Sequence, residues 1–156
     1  MKRRKLDFHR AEEVIAEIEG LRSSGYTKTK NWNLTQVCEH LNGTMKGGMD
    51  GFGFRLPWVL RATFVKWAFG YALRKRTLPS GAPTFPMLKP KTDRAQDDDD
   101  VIDECIATAR RAESFDGSLA DYALLDNLSV NEWRDFMWIH AAHHLSFLVP
   151  LDSTNS

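Results

Sequence analysis

The stretch Trp138-Ile-His-Ala-Ala-His-His-Leu-Ser-Phe147 decides the fold. It carries no Gly or Pro, so it reads as helix, and Pro150 stops it soon after. His140 and His144 stand four apart, which on a helix places one above the other on the same face. Working back along the chain, Trp133, Met137, His140, His144 and Phe147 recur at steps of three and four. That stripe is the apolar face, so both imidazoles point at a core. Left without partners there, each would cost about 1–3 kcal/mol of desolvation. A divalent metal chelated by the pair removes that cost, as in zinc helices with two histidines four apart. Core histidines bonded to carbonyls or waters, or a pH-sensitive helix contact, are the other readings of the pair. A third histidine, from another helix, would complete a three-ligand site with an open position.

A candidate for that third histidine is His40, near the middle of a helix read over 34–47. Asn33 and Gln36 form a capping box, and Leu34, Val37, Cys38, Leu41 and Met45 form the apolar face. His40 lies on its shoulder beside Val37 and Thr44, away from Cys38. Gly47-Gly48, with Gly51 and Gly53, reads as the break after this helix. A first helix spans 9–23, with Ala11, Val14, Ile15, Ile18 and Leu21 on one face and Gly25 past its end. A third starts at Pro57 and runs to about 75; its apolar and aromatic richness predicts a buried helix. A fourth carries Val101, Ile102, Cys105, Ile106 and Ala109, with Asp97 to Asp100 capping its start. Leu128, Ser129 and Glu132 give the last helix a staple and capping box. No strand alternation is visible.

Residues 77–96 hold Pro79, Pro83, Pro86 and Pro90 and read as a mobile crossover loop that limited proteolysis nicks first. Residues 151–156 read as a disordered tail. The expectation is one all-α domain over 1–156: a four-helix bundle with a long crossover and an additional short helix.

Composition narrows the partners. Lys plus Arg equals Asp plus Glu, at 21 each, which argues against a nucleic-acid binder. Lys2-Arg-Arg-Lys5 and Arg74-Lys-Arg76 read as solvated basic patches. No apolar run is long and uninterrupted enough for a signal peptide or a membrane span, so no membrane contact is expected. Two cysteines, Cys38 and Cys105, sit on apolar faces and fit a reducing, cytoplasmic compartment. Burial leaves neither a good nucleophile. Ser146 has no base at a readable spacing. Glu39 and Asp50 are weak candidates for proton transfer, with solvated charges or helix ends as the plainer reading. The five tryptophans read as core or pocket walls.

Trp32-Asn-Leu-Thr-Gln-Val-Cys-Glu-His40-Leu resembles the second helix of the DinB/YfiT-like superfamily, and His140-Ala-Ala-His-His144 resembles the two-histidine motif on its last helix. The flanking Asn131-Glu-Trp133 and His143-His-Leu-Ser-Phe147 look closest to an uncharacterised branch. The resemblance covers Leu6 to Pro150. It implies a bacterial protein with a DinB-like four-helix bundle and a divalent metal, zinc or nickel, held by His40, His140 and His144. His143 is then a support behind the ligands, an alternative ligand, or a surface residue near a substrate. Characterised relatives include thiol S-transferases and a thiol-dependent maleylpyruvate isomerase. The implied function is a metal-dependent enzyme acting on a small molecule, either a transferase using a low-molecular-weight thiol or a hydrolase. The alternative is a non-catalytic metal- or ligand-binding bundle, stress-related in role; a homodimer fits either.

Overall fold

Local caps start most of the helices. In the computed structural model, described over residues 3–81, 84–91, 95–119 and 122–151, α1 spans Ala11–Ser24 and opens with the Arg10 N–H donating to the Glu13 carboxylate. A short strand β1, Tyr26–Lys28, follows. α2, Leu34–Asp50, begins at the expected box: Gln36 N–H donates to Asn33 at 2.9 Å, and Asn33 N–H to Gln36 at 3.0 Å. α3, Trp58–Leu60, passes through a π-helical turn at Arg61–Val65 into α4, Lys66–Lys75. A 3-10 turn at Pro86–Leu88 precedes α5, Asp99–Ser114, capped by the Asp98 carboxylate. α6, Val130–Leu145, opens on the reciprocal Ser129–Glu132 box, and β2, Leu148–Pro150, closes the chain. The fold is mostly helical. Residues 82–83 and 92–94 of the expected crossover, and 152–156 of the expected tail, lie outside the described residues.

One hydrophobic core joins α1, α2, α5 and α6. Val14 and Ile18, Val37 and Leu41, Ile102 and Ile106, and Trp133 and Leu145 are all buried in it. Burying such side chains is the main favourable term in folding, roughly 1.5–3 kcal/mol each. Cys38 and Cys105 are buried and free within it. A hydrogen bond with Cys105, then burial, pushes the Cys38 thiol well up, away from reactive thiolate. Two polar clamps, both built on β1, fix one end of the helices. The Asp97 carboxylate accepts from Thr35 N at 3.0 Å, Thr35 Oγ1 at 2.9 Å and Tyr26 Oη at 2.7 Å, tying the starts of α2 and α5 to β1. β1 pairs antiparallel with β2, Thr27 opposite Val149. Two three-residue strands are too short to show alternation, which is why the sequence gives no sign of them.

Two expectations are corrected. α2 does not break at Gly47-Gly48; it runs through both to Asp50. A Cβ on Gly48 would overlap the Trp133 indole, so the missing side chain lets α6 approach α2. The 57–75 helix is not buried. Its fully buried residues are Phe69 and Ala72, and Phe69 stacks on Phe136 of α6 at 4.0 Å. Trp58, Val59, Leu60, Phe64, Trp67 and Tyr71 face water. Apolar content cannot tell a helix inside a bundle from one laid against its outside. No helix among the described residues is long and apolar enough to cross a membrane.

Candidate metal centre

α2 and α6 bring His40, His140 and His144 together. Each offers a ring nitrogen, and the three lie within 4.8 Å of one another, close enough to hold a metal. His140 Nε2 is central: 3.1 Å from His40 Nε2 and 3.0 Å from His144 Nε2. Two donors about a tetrahedral zinc, each at about 2.0–2.1 Å, stand on the order of 3.3 Å apart, so the two separations made by His140 are close to those of ligands sharing one ion.

The proton inventory supports the same fit. His40 Nδ1 lies 2.7 Å from the Leu88 carbonyl oxygen. A carbonyl can only accept, so Nδ1 carries the proton and Nε2 presents a lone pair. His140 Nε2 is either a donor or an acceptor in a neutral ring, so it cannot make a well-formed hydrogen bond to both neighbours at once. His140 Nδ1 is buried with no hydrogen-bond partner among the described residues. A cation among the three Nε2 atoms turns that conflict into coordination. The His40–Leu88 contact is the outer partner a metal-bound imidazole commonly has.

Aromatic rings hold the imidazoles. Trp32 stacks on His144 with centroids 5.3 Å apart. Phe136, one turn before His140, lies parallel to it at 6.2 Å. Burial is the first cause that keeps all three imidazoles neutral: it lowers His40 against the opposing effect of its hydrogen bond to the Leu88 carbonyl, and holds His140 and His144 well down with help from neighbouring histidines. Neutral imidazole is the form that binds metal.

His143 lies beside the cluster rather than in it. Its ring meets His144 edge-on at 4.9 Å and Phe147 at 5.2 Å. Burial first, then the charges of Arg3 and Lys30, lower it to about 4. Glu39 accepts from Lys91 N at 2.9 Å, and Asp50 pairs with Arg111; neither carboxylate lines the cavities at the triad. Ser146 Oγ is committed to the His143 carbonyl at 2.6 Å and is buried. No fourth His, Cys, Asp or Glu joins the three among the described residues.

Two cavities reach the cluster. One is apolar, with Phe52, Phe85, Tyr122, Leu124, Phe136 and Met137 in its wall. The other opens past Lys30, Asn31, Trp32, Thr84 and His143. Sequence reading missed the 84–91 segment here. The Leu88 contribution is a backbone carbonyl, which leaves no trace in residue type.

These depressed histidines set an expected pH response for the metal-free protein. The unfolded chain takes protons near pH 6.5, the folded one lower, so stability is full above about 6.5 and falls as pH drops toward about 4. In a chelator the urea midpoint should be lower at pH 5 than at pH 7. An unchanged midpoint over that interval, where most carboxylates stay ionised, would contradict the burial of neutral imidazoles.

Residues 1–151 match a family described as a protein of unknown function, DUF1569. No curated protein and no solved structure gives a match.

Proposed function

The chain belongs to the DUF1569 family, and from its site we infer a divalent-metal-dependent enzyme that activates a small nucleophile against an electrophile held in the apolar cavity. One observation carries the reading: three Nε2 atoms converge with no fourth His, Cys, Asp or Glu among the described residues, and all three histidines line an apolar cavity. Structural zinc sites close their fourth position with protein; catalytic ones leave it open. The same ligand set and helix order support the DinB/YfiT-like resemblance. When bound, zinc or nickel supplies a Lewis acid beside which a water or thiol ionises near neutral pH.

The chain's own residues do the rest. His40, His140 and His144 hold the ion, and the Leu88 carbonyl fixes the His40 tautomer. Trp32 and Phe136 keep His144 and His140 from turning away. Phe52, Phe85 and Leu124 exclude water around an apolar electrophile, which strengthens every polar interaction within. Lys30, Asn31 and His143 offer donors to the polar end of a thiol or substrate entering from the other side.

The test is a screen of metal-loaded protein with low-molecular-weight thiols and aryl or alkyl halides, and in parallel with activated esters. Turnover should vanish on chelation and return with zinc or nickel. Full activity in a sample verified to be metal-free would overturn the reading.

A further inference from the structure

The exposed face of α3 and α4 has no role in the metal centre. Leu60, Phe64, Trp67 and Tyr71 recur at steps of four and three, on the side opposite the buried Phe69 and Ala72. Trp58, Phe64 and Trp67 are 68%, 67% and 62% exposed. Phe64, Trp67 and Tyr71 pack along the surface, ring against ring, at 6.3 and 5.8 Å. A soluble monomer seldom shows an apolar patch of more than a few hundred Å2, and Trp58, Val59, Leu60, Phe64, Trp67 and Tyr71 together expose apolar area roughly of that order. The π-helical turn at Arg61–Val65 lies within the stripe, a kind of turn often found at functional surfaces.

Charge is segregated here too. The chain is neutral overall, yet residues 51–92 contain eight Lys and Arg and no Asp or Glu. Arg55 and Arg61 are matched to Asp126, and Arg76 to Asp7 and Asp135. Lys66, Arg74 and Lys75, all exposed, make no ion pair among the described residues. A second copy of this face would bring like charges together. An acidic, apolar-cored surface would satisfy the rings and the cations at once.

We propose that this face docks on an anionic phospholipid bilayer, with Trp58, Phe64 and Trp67 seated at the headgroup level and Lys66, Arg74 and Lys75 against the lipid phosphates. Aromatic residues favour that interfacial depth, and each nearby cation adds to the binding of an anionic leaflet. The helix lies on the surface rather than through it, since its opposite side is fixed to α6 by Phe69.

The experiment is cosedimentation of the full chain with phosphatidylcholine vesicles, with and without phosphatidylglycerol. Binding should be at least about tenfold stronger on the anionic vesicles and weaken with salt. Brominated lipid should quench tryptophan fluorescence in the unmodified protein, because Trp58 and Trp67 are exposed while Trp133 and Trp138 are sealed in the core. Phe64→Glu with Trp67→Glu should abolish binding, and circular dichroism should show the fold retained. Lys66→Ala, Arg74→Ala and Lys75→Ala together should remove the preference for anionic lipid. Absence of binding to either vesicle overturns the proposal. If sedimentation velocity then shows a dimer that Phe64→Glu dissociates, the face belongs to self-association instead. Binding that survives the double glutamate variant also overturns it.

Discussion

Alanine in place of His140 should leave the protein without stoichiometric divalent metal. His140 Nε2 is the donor that both other histidines approach, at 3.1 and 3.0 Å, so its loss leaves two ligands from separate helices. Losing even an outer-sphere partner typically costs 10–100-fold in affinity, so removing the central ligand should cost more than about 100-fold. The stability readout separates binding from folding. Metal at a thousand times its Kd stabilises a folded protein by about 4 kcal/mol. The unmodified chain should show that rise on zinc or nickel addition, and His140→Ala should not. Without metal the variant should lose no more than about 1–2 kcal/mol of stability, because the imidazole it removes has a buried Nδ1 with no partner among the described residues. His143→Ala is the control. Its ring stands outside the cluster, so metal content should stay at one per chain. Stoichiometric metal in His140→Ala, by mass spectrometry of protein purified without a tag, would end the three-histidine assignment.

The histidines were legible because two of them share a helix stripe and the third follows a readable cap. Asn33–Gln36 and Ser129–Glu132 set the phase of α2 and α6, and phase alone puts His40, His140 and His144 on inward faces. The distance between those helices was not legible. Its close contact is at Gly48, where a Cβ would overlap Trp133, and sequence reading takes that glycine for a helix break because its local preference and its packing role look identical in one chain. The environment of the 57–75 helix was also beyond reach, since an aromatic stripe looks the same whether its partner is a core or something outside the molecule. The clamp from the Leu88 carbonyl is a third case: backbone atoms carry recognition that residue names do not.

Gly48 supplies the second large effect. In an exposed helix, glycine to alanine stabilises by up to about 1 kcal/mol through propensity. Gly20 in α1 meets that condition, with open space where an alanine methyl would project, so Gly20→Ala should raise stability slightly. At Gly48 the same methyl would fall inside contact with Nε1 and Cε2 of Trp133. That indole is 0% exposed and sits edge-on to Phe115 at 5.8 Å, so it has nowhere to retreat. Overpacking of this kind costs about 1–3 kcal/mol, which outweighs the propensity gain. The relaxation open to the fold is a shift of α6 away from α2. Trp133 lies two turns before His140 on α6, and His40 is on α2, so the same shift widens the spacing of the three nitrogens. Gly48→Ala should therefore lower the urea midpoint and weaken metal binding together, while Gly20→Ala raises the midpoint and leaves binding alone. Equal stability and affinity in Gly48→Ala and the unmodified protein would show that this contact does not set the distance between the helices that carry the site.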